Sequence, residues 1–197
     1  IPANMRALET AHYVLNTDAS DLGGIYNGVV TGATFSSGKI GSAAYFDGTI
    51  NQYITIADAA GLRPSAMSIS FWIWPTNSTP AVQEFVINKG WANVKSWAII
   101  HDVNGKVQFA VQNAAGNSYY SQTDNNVGAA QWTHIVGWFD GTNVKLYKNG
   151  VIQARVDAVA GADFLQDTSD IKMSMSGGTH AFPGRLDDIR IFNYAIG

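Results

Sequence analysis

The stretch MSISFWIWP, Met67 to Pro75, restricts the fold more than any other part of the chain. Met67, Ile69, Phe71 and Ile73 fall on one side of an extended backbone, and Ser68, Ser70, Trp72 and Trp74 on the other. This is the period-2 pattern of a strand. Both sides carry bulk, so the strand is expected to be central in its sheet and covered on both faces for part of its length. Pro75 ends it, because proline cannot donate to a ladder. Trp72 reads as core. Trp74, at the strand end, is open to packing or to ligand contact.

The same alternation recurs along the chain. GKIGSAAYFDGTINQYITIAD (38–58) holds two short strands around an Asp47-Gly48 turn. EFVINKGWANVKSWAIIHD (84–102) gives two more, around a loop at Gly90. After Asn104-Gly105, Val107, Phe109 and Val111 alternate with Gln108, Ala110 and Gln112. Tyr119-Tyr120 opens a further strand on which the two rings face opposite ways. QWTHIVGWFDGTNVKLYKNGVIQARV (131–156) reads as three strands joined by DGTN and KNG, and another follows at 171–175. Roughly twelve short strands with turn signals about every 8–12 residues, and no long helical pattern, specify an all-β sandwich or barrel. No repeat of fixed period is visible, which disfavours a propeller or solenoid.

The closing stretch, GRLDDIRIFNYAI (184–196), sets adjacent carboxylates on one strand. Strict alternation places Leu186, Asp188, Arg190 and Phe192 against Asp187, Ile189, Ile191 and Asn193. Asp188 can then pair with Arg190 two residues on. Asp187 has no such neighbour. It needs a hydroxyl, an amide, a partner from elsewhere, a metal ion, or water at the sheet's end.

Composition narrows the function. The 197 residues contain no apolar run long enough to span a membrane, so membrane insertion is not expected. One domain is expected from residue 12 to 197, with residues 1–11 as an N-terminal arm or linker. Ile1 is no initiator, so the chain is expected to be processed or excised. The 12 Lys and Arg are scattered at a net charge of −3, which excludes a basic stripe for nucleic acid. Cysteine is absent, which removes disulfides and thiolate metal sites. Richness in Asn, Ser, Thr and Gly leans toward an extracellular setting.

Candidate sites follow from residue type. Asn16, Asp18 and Asp21 cluster in a Gly-rich loop, which is either a calcium loop or a solvated turn. Trp91 sits in a polar loop, either as a flat platform for a sugar or protein partner or as a lid on the core. His134, between Trp132 and Trp138, reads as a satisfied core histidine. Sugar recognition uses an aromatic platform with amides that reach ring hydroxyls. Trp91, Tyr119 or Tyr120, and Asn113, Asn117 and Asn125 could supply both. Glycoside hydrolysis needs two carboxyl groups about 5–9.5 Å apart. The only two glutamates, Glu9 and Glu84, are far apart in sequence, and no nucleophile elbow is present, so no enzyme is expected.

The ordered set GKIGSAAYFDG, YITIAD, MSISFWIWP, INKG, QWTHIVGWFDGTNVKLYKNG and GRLDDIRIFNYAI resembles the laminin G-like domains of the concanavalin A-like lectin/glucanase superfamily, in their bacterial and viral form. The resemblance covers residues 12 to 196. It implies a jelly-roll of two antiparallel sheets with the first and last strands adjacent. It also implies one structural Ca²⁺ where the N-terminal loop meets the last strand, at Asp187. Asn16, Gly41 through its carbonyl, and Asp47 or Asp188 would complete the ligands. Asn16 stands where many members have Asp, which removes a charge. An all-oxygen set suits Ca²⁺ and not zinc. The superfamily includes glycosidases, lectins and adhesion modules, so fold alone does not fix function. The leading expectation is a non-catalytic carbohydrate-binding module of an extracellular, cell-surface or virion-surface protein, with a glycan as partner. The alternative is a structural or adhesion module, such as a virion decoration or surface-layer part, that contacts other protein subunits.

Overall fold

The computed structural model describes residues 9–91, 93–161, 164–175 and 180–197. The N-terminal arm therefore lies largely outside the described residues. Its last part, Glu9 to Ala11, already joins the sheet, with the Thr10 N–H donating to the Ile191 carbonyl at 2.8 Å. In chain order the strands are β1 (Ala11–Tyr13), β2 (Gly28–Thr31), β3 (Thr34–Ser37), β4 (Ser42–Asp47), β5 (Tyr53–Ile56), β6 (Met67–Pro75), β7 (Glu84–Lys89) and β8 (Trp97–His101). They continue as β9 (Val107–Gln112), β10 (Ser118–Gln122), β11 (Thr133–Phe139), β12 (Asn143–Lys148), β13 (Val151–Ile152), β14 (Asp157–Ala158), β15 (Ile171–Met173) and β16 (Pro183–Phe192). A short 3₁₀ turn, Ala60–Leu62, fills the connector after β5.

These strands form an all-β sandwich of two antiparallel sheets, one of the two forms the alternation allowed and the one the family resemblance implied. One sheet has nine strands, ordered β13-β12-β11-β6-β16-β4-β3, with β1 beside β16 and β14 beside β12. The other has seven, ordered β10-β9-β8-β7-β15-β5-β2. β6 is central, as its two bulky faces required. Its Met67, Ile69, Phe71 and Ile73 meet Trp97, Ile99, Phe109 and Val111 of the opposite sheet in one core. Each such burial is worth about 1.5–3 kcal/mol. Gly137 of β11 lies directly beneath Phe109, and a Cβ there would stand 2.7 Å from the ring. Its missing side chain sets how closely the sheets approach.

The last strand departs from strict alternation. β16 pairs Leu186 with Ile73 and Asp187 with Trp72, then skips to Arg190 opposite Ser70. Asp188 and Ile189 therefore share one place opposite β6, which is a β-bulge. Asp188 takes φ +47, the left-handed region that Asp tolerates better than most residues. The extra residue resets the parity. Leu186, Ile189 and Ile191 all enter the core, while Asp187, paired with Trp72, and Arg190, paired with Ser70, stand with the outward-facing residues of β6. The expected grouping of Leu186 with Asp188, and of Asp187 with Ile189, is corrected accordingly.

Candidate functional site

The outward-facing Asp187 is nevertheless fully buried. The loop 38–41 lies over it, and its Oδ2 accepts the backbone N–H groups of Lys39 at 2.7 Å and Ile40 at 2.8 Å. Its Oδ1 is buried with no hydrogen-bond partner. Burial pushes its carboxyl above the ordinary range, against the pull of those backbone donors. The same loop receives Asn16, whose Oδ1 accepts the Ser42 N–H at 2.8 Å. A Cβ on Gly41 would sit 2.5 Å from that Oδ1, so the approach needs glycine. The Gly41 carbonyl accepts the Gly38 N–H at 2.9 Å. Asn16, Gly41 and Asp187 thus meet at one loop. Each is an oxygen donor with accepting capacity left over, and a hard cation fits them in kind.

The other expected ligands lie elsewhere. Asp47 caps its own turn, accepting the Thr49 N–H at 2.8 Å and the Gln52 amide at 3.0 Å. Asp188 belongs to a closed ring of ionisable side chains. It pairs with Arg190 at 3.1 Å and with His12 Nε2 at 2.7 Å. Glu9 closes the ring, with Oε2 3.2 Å from His12 Nδ1 and Oε1 3.0 Å from Arg190. Burial raises the Asp188 carboxyl, but the bonds from His12 and Arg190 outweigh it and hold the carboxyl below the ordinary range. Asp21 is buried and accepts four backbone N–H groups, from His12, Gly23, Ile25 and Tyr26, at 2.9–3.1 Å. It staples the N-terminal loop. Asp18 caps Ser20. Among the described residues no group of three or more His, Cys, Asp or Glu side chains gathers as a metal cluster.

The second candidate region is the outer face of the seven-stranded sheet. Phe85, Ala98 and Ile100 form a small apolar cluster there, and the half-buried Trp91 packs against it. Backbone pairing places Asn88, Ala98, Ala110 and Tyr120 in one row across β7, β8, β9 and β10. Ile100, Gln108 and Gln122 form the next. Trp91 and Tyr120 therefore flank a strip of Gln108, Ala110 and Gln112. Tyr120 carries the Arg155 guanidinium 3.7 Å above its ring. Tyr119 turns inward, as adjacency required, and its hydroxyl donates to the Ala160 carbonyl at 3.1 Å.

The three asparagines divide. Asn113 is buried, its Oδ1 accepting the Ala115 and Asn117 N–H groups and its Nδ2 donating to Ala160. It shapes the β9–β10 loop. Asn117 is exposed in that loop, at the Trp91 end of the sheet, where the Lys95 N–H donates to the Asn113 carbonyl. Asn125 is exposed at the far end of β10. The glutamines of the strip were legible only as polar partners of a strand. What brings them beside Trp91 is the pairing of β8 with β9, which no local pattern states.

Both glutamates are engaged. Glu84 is buried against His101, with Oε2 2.9 Å from Nδ1, and Glu9 lies in the ring with His12 and Arg190. His134 is not a core residue. It stands half-buried on the outer face of the nine-stranded sheet, bonded to Ser70 at 2.9 Å and tilted against Trp72 with centroids 5.0 Å apart. Burial lowers its pKa.

Solved structures share this architecture. Domain 4 of AbnA, an extracellular arabinanase from Geobacillus stearothermophilus solved in complex with arabinotriose, superposes with a TM-score of 0.81 at 23% identity, over 96% of this chain and 94% of that one. The binding domain of Paraclostridial Mosquitocidal Protein 1 gives 0.83 at 18% identity, and that of botulinum neurotoxin serotype D gives 0.72 at 15%. The chain spans about half of each toxin binding domain, 50% and 48%. At these identities the likeness is one of fold. Comparison with curated proteins finds no match. Residues 46–197 match the Laminin_G_3 model, and the chain belongs to that family of the concanavalin A-like lectin/glucanases superfamily.

Proposed function

We propose that this domain is a non-catalytic glycan-binding module that works outside the cytoplasm. The observation that carries the reading is the pair Trp91 and Tyr120 flanking the Gln108–Gln112 strip on one sheet face. Indole and phenol rings offer flat apolar surface to a sugar ring, and side-chain amides both donate to and accept from its hydroxyls. Trp91 supplies the platform, Gln108, Gln112 and Asn117 the polar contacts, and Asn113 and Tyr119 hold the adjoining loop in place. The arabinanase domain solved with arabinotriose supports a saccharide ligand for this fold. The engagement of Glu84 with His101 and of Glu9 with Arg190 argues against a hydrolase.

A structural Ca²⁺ is part of the proposal. Asn16, Gly41 and Asp187 would hold it, and it would neutralise the buried carboxylate and lock loop 38–41 onto β16. Asp47 and Asp188 are engaged elsewhere, so water would complete the coordination.

An open site of this kind makes few contacts, so monomer affinity is expected in the range of about mM to μM, or roughly −4 to −8 kcal/mol. The test therefore uses multivalent display of the domain on beads against arabinan and a panel of neutral polysaccharides. Trp91→Ala should abolish retention. It should cost only about 1–2 kcal/mol of stability, because the ring packs on an outer cluster and not in the main core. Retention unaffected by Trp91→Ala would remove this face from consideration.

A second reading has one observation in its favour. Val151 and Ile152, 63% and 48% exposed, sit on the short edge strand β13 of the nine-stranded sheet. An apolar edge of this kind suits contact with another protein subunit. A stable oligomer in a sizing run, combined with no glycan retention, would favour it.

A further inference from the structure

The outer face of the nine-stranded sheet carries a separate arrangement. Trp72, Trp74 and Trp138 all lie on it, and each has a cation above its ring. Lys39 Nζ stands 4.6 Å from the Trp72 centroid, the Arg185 guanidinium 4.4 Å from Trp74, and Lys145 Nζ 4.1 Å from Trp138. Cross-strand register produces two of these pairs, since Arg185 is the partner of Trp74 and Lys145 the partner of Trp138. The third comes from loop 38–41.

None of the three cations has a carboxylate within ion-pair distance among the described residues. This is unexpected in a chain of net charge −3. The two carboxylates of β16 are both committed. Asp187 is buried under backbone N–H donors, and Asp188 is held by Arg190 and His12. Arg185 donates through Nη1 to the Ser37 carbonyl at 3.2 Å, while its Nε is buried without an acceptor. The guanidinium therefore sits over the indole with donors to spare. Stacking fixes these charges in place and lowers the entropy lost when an anion binds.

The spacing has a direction. Trp72 and Trp74 are two residues apart on β6, about 7 Å at strand rise. Trp138 pairs with Ser68, four residues from Trp72, or about 13 Å along the same axis. With Arg185 on β16, Lys39 over β6 and Lys145 on β12, the cations run diagonally across the sheet, a spread that suits charges repeated along an extended polymer. Beside the cations is an open, mainly apolar pocket of about 200 Å³, lined by His134, Val136, Tyr147, Gly150, Ile196 and Gly197. A sugar ring can lie there while its charged substituents meet the cations.

We propose that this face binds an anionic polysaccharide, bearing carboxylate or sulfate groups, at a site separate from the Trp91 face. The inference rests on the glycan-binding reading above for the class of polymer and on the unmatched cations for its charge. It is tested with the multivalent domain on polygalacturonate, dextran sulfate, neutral arabinan and poly-glutamate, at low and high salt. The variants are Lys39→Gln/Arg185→Gln/Lys145→Gln and Trp91→Ala. The triple variant should lose at least about tenfold of anionic-polysaccharide retention, keep arabinan retention and melt as the parent does. Trp91→Ala should do the reverse. Salt should weaken only the anionic arm. Preference for polygalacturonate or dextran sulfate identifies the anion as carboxylate or sulfate. Anionic retention equal in parent and triple variant, or retention of poly-glutamate alone, overturns the proposal and leaves the Trp91 site standing. Retention of no polysaccharide at all overturns both.

Discussion

Asp187 and Asp21 are both buried carboxylates, and they meet burial in opposite ways. Asp21 has four backbone N–H donors, which outweigh its burial and lower its pKa. Asp187 has two such donors from loop 38–41 and one oxygen without a partner, and burial wins. For Asp21 the native carboxyl titrates below the unfolded one. As pH falls the unfolded chain takes up the proton first, so its contribution is present above the ordinary carboxylate pKa and disappears below it. Asp21→Ala should cost about 3 kcal/mol or more at neutral pH and flatten acid unfolding between the ordinary pKa and lower values. A variant with unchanged acid sensitivity would contradict the assignment. Asp187 predicts a crossing of a different kind. In chelator, Asp187→Asn should match or exceed the parent in Tm, because it removes a charge burial disfavours. At Ca²⁺ 100 times its dissociation constant the parent should gain about 2.7 kcal/mol, several degrees in a melting scan, and the variant nothing. Parent curves that coincide with and without chelator would eliminate the ion. The need of Asp187 for an outside partner was legible in the sequence. That the partners include the backbone of residues 39 and 40 was not, because no local pattern encodes which loop covers a strand.

At the scale of elements, legibility tracked the regularity of side-chain alternation. β6, β9, β11 and β12 alternate cleanly, and their existence and approximate ends could be read directly, whereas the face of β6 and of β11 that meets the core could not. β2 and β3 lie in GVVTGATFSS, where neither face is consistently apolar, and both have largely exposed or half-buried positions. β13 and β14 are two residues each and owe their existence to pairing with β12. β16 was found and its faces misassigned, since a bulge at Asp188 is invisible to a period-2 count. Gly137 shows a constraint the alternation passes over. It occupies an inward position on β11 that reads as a weakness in a strand, yet only a hydrogen fits under Phe109. Gly137→Ala should force the ring aside and cost about 1–3 kcal/mol, or more if the sheets must part. A compensating Phe109→Leu should recover part of that loss, and a denaturant titration of the two variants and their combination measures it. Purely additive effects would show that the two residues do not share the space.

For the whole molecule, which side chains are left on the outer face of each sheet was beyond the sequence. In the sequence, Trp74 is open between packing and ligand contact, and Trp72 reads as core. Both stand half-buried on the outer face, because the bulk on both sides of β6 marks a covered strand without saying what covers it. The adjacency of β1 and β16 has a consequence for a domain under mechanical load. Ala11 lies opposite Ile191 and Tyr13 opposite Ile189, so the residues around Glu9 and Asn193 leave the sheet side by side. A pull that separates them does not shear the sheet. It opens the β1–β16 ladder one rung at a time, taking His12 away from Asp188. Single-molecule extension through handles at these two points should give an early, low-force release of β1 before the main rupture. Handles at Ser70 on β6 and Asn88 on β7, strands paired on both sides within each sheet, should require a higher force. A domain held at these two points would then yield first at its seam while most of both sheets stays folded.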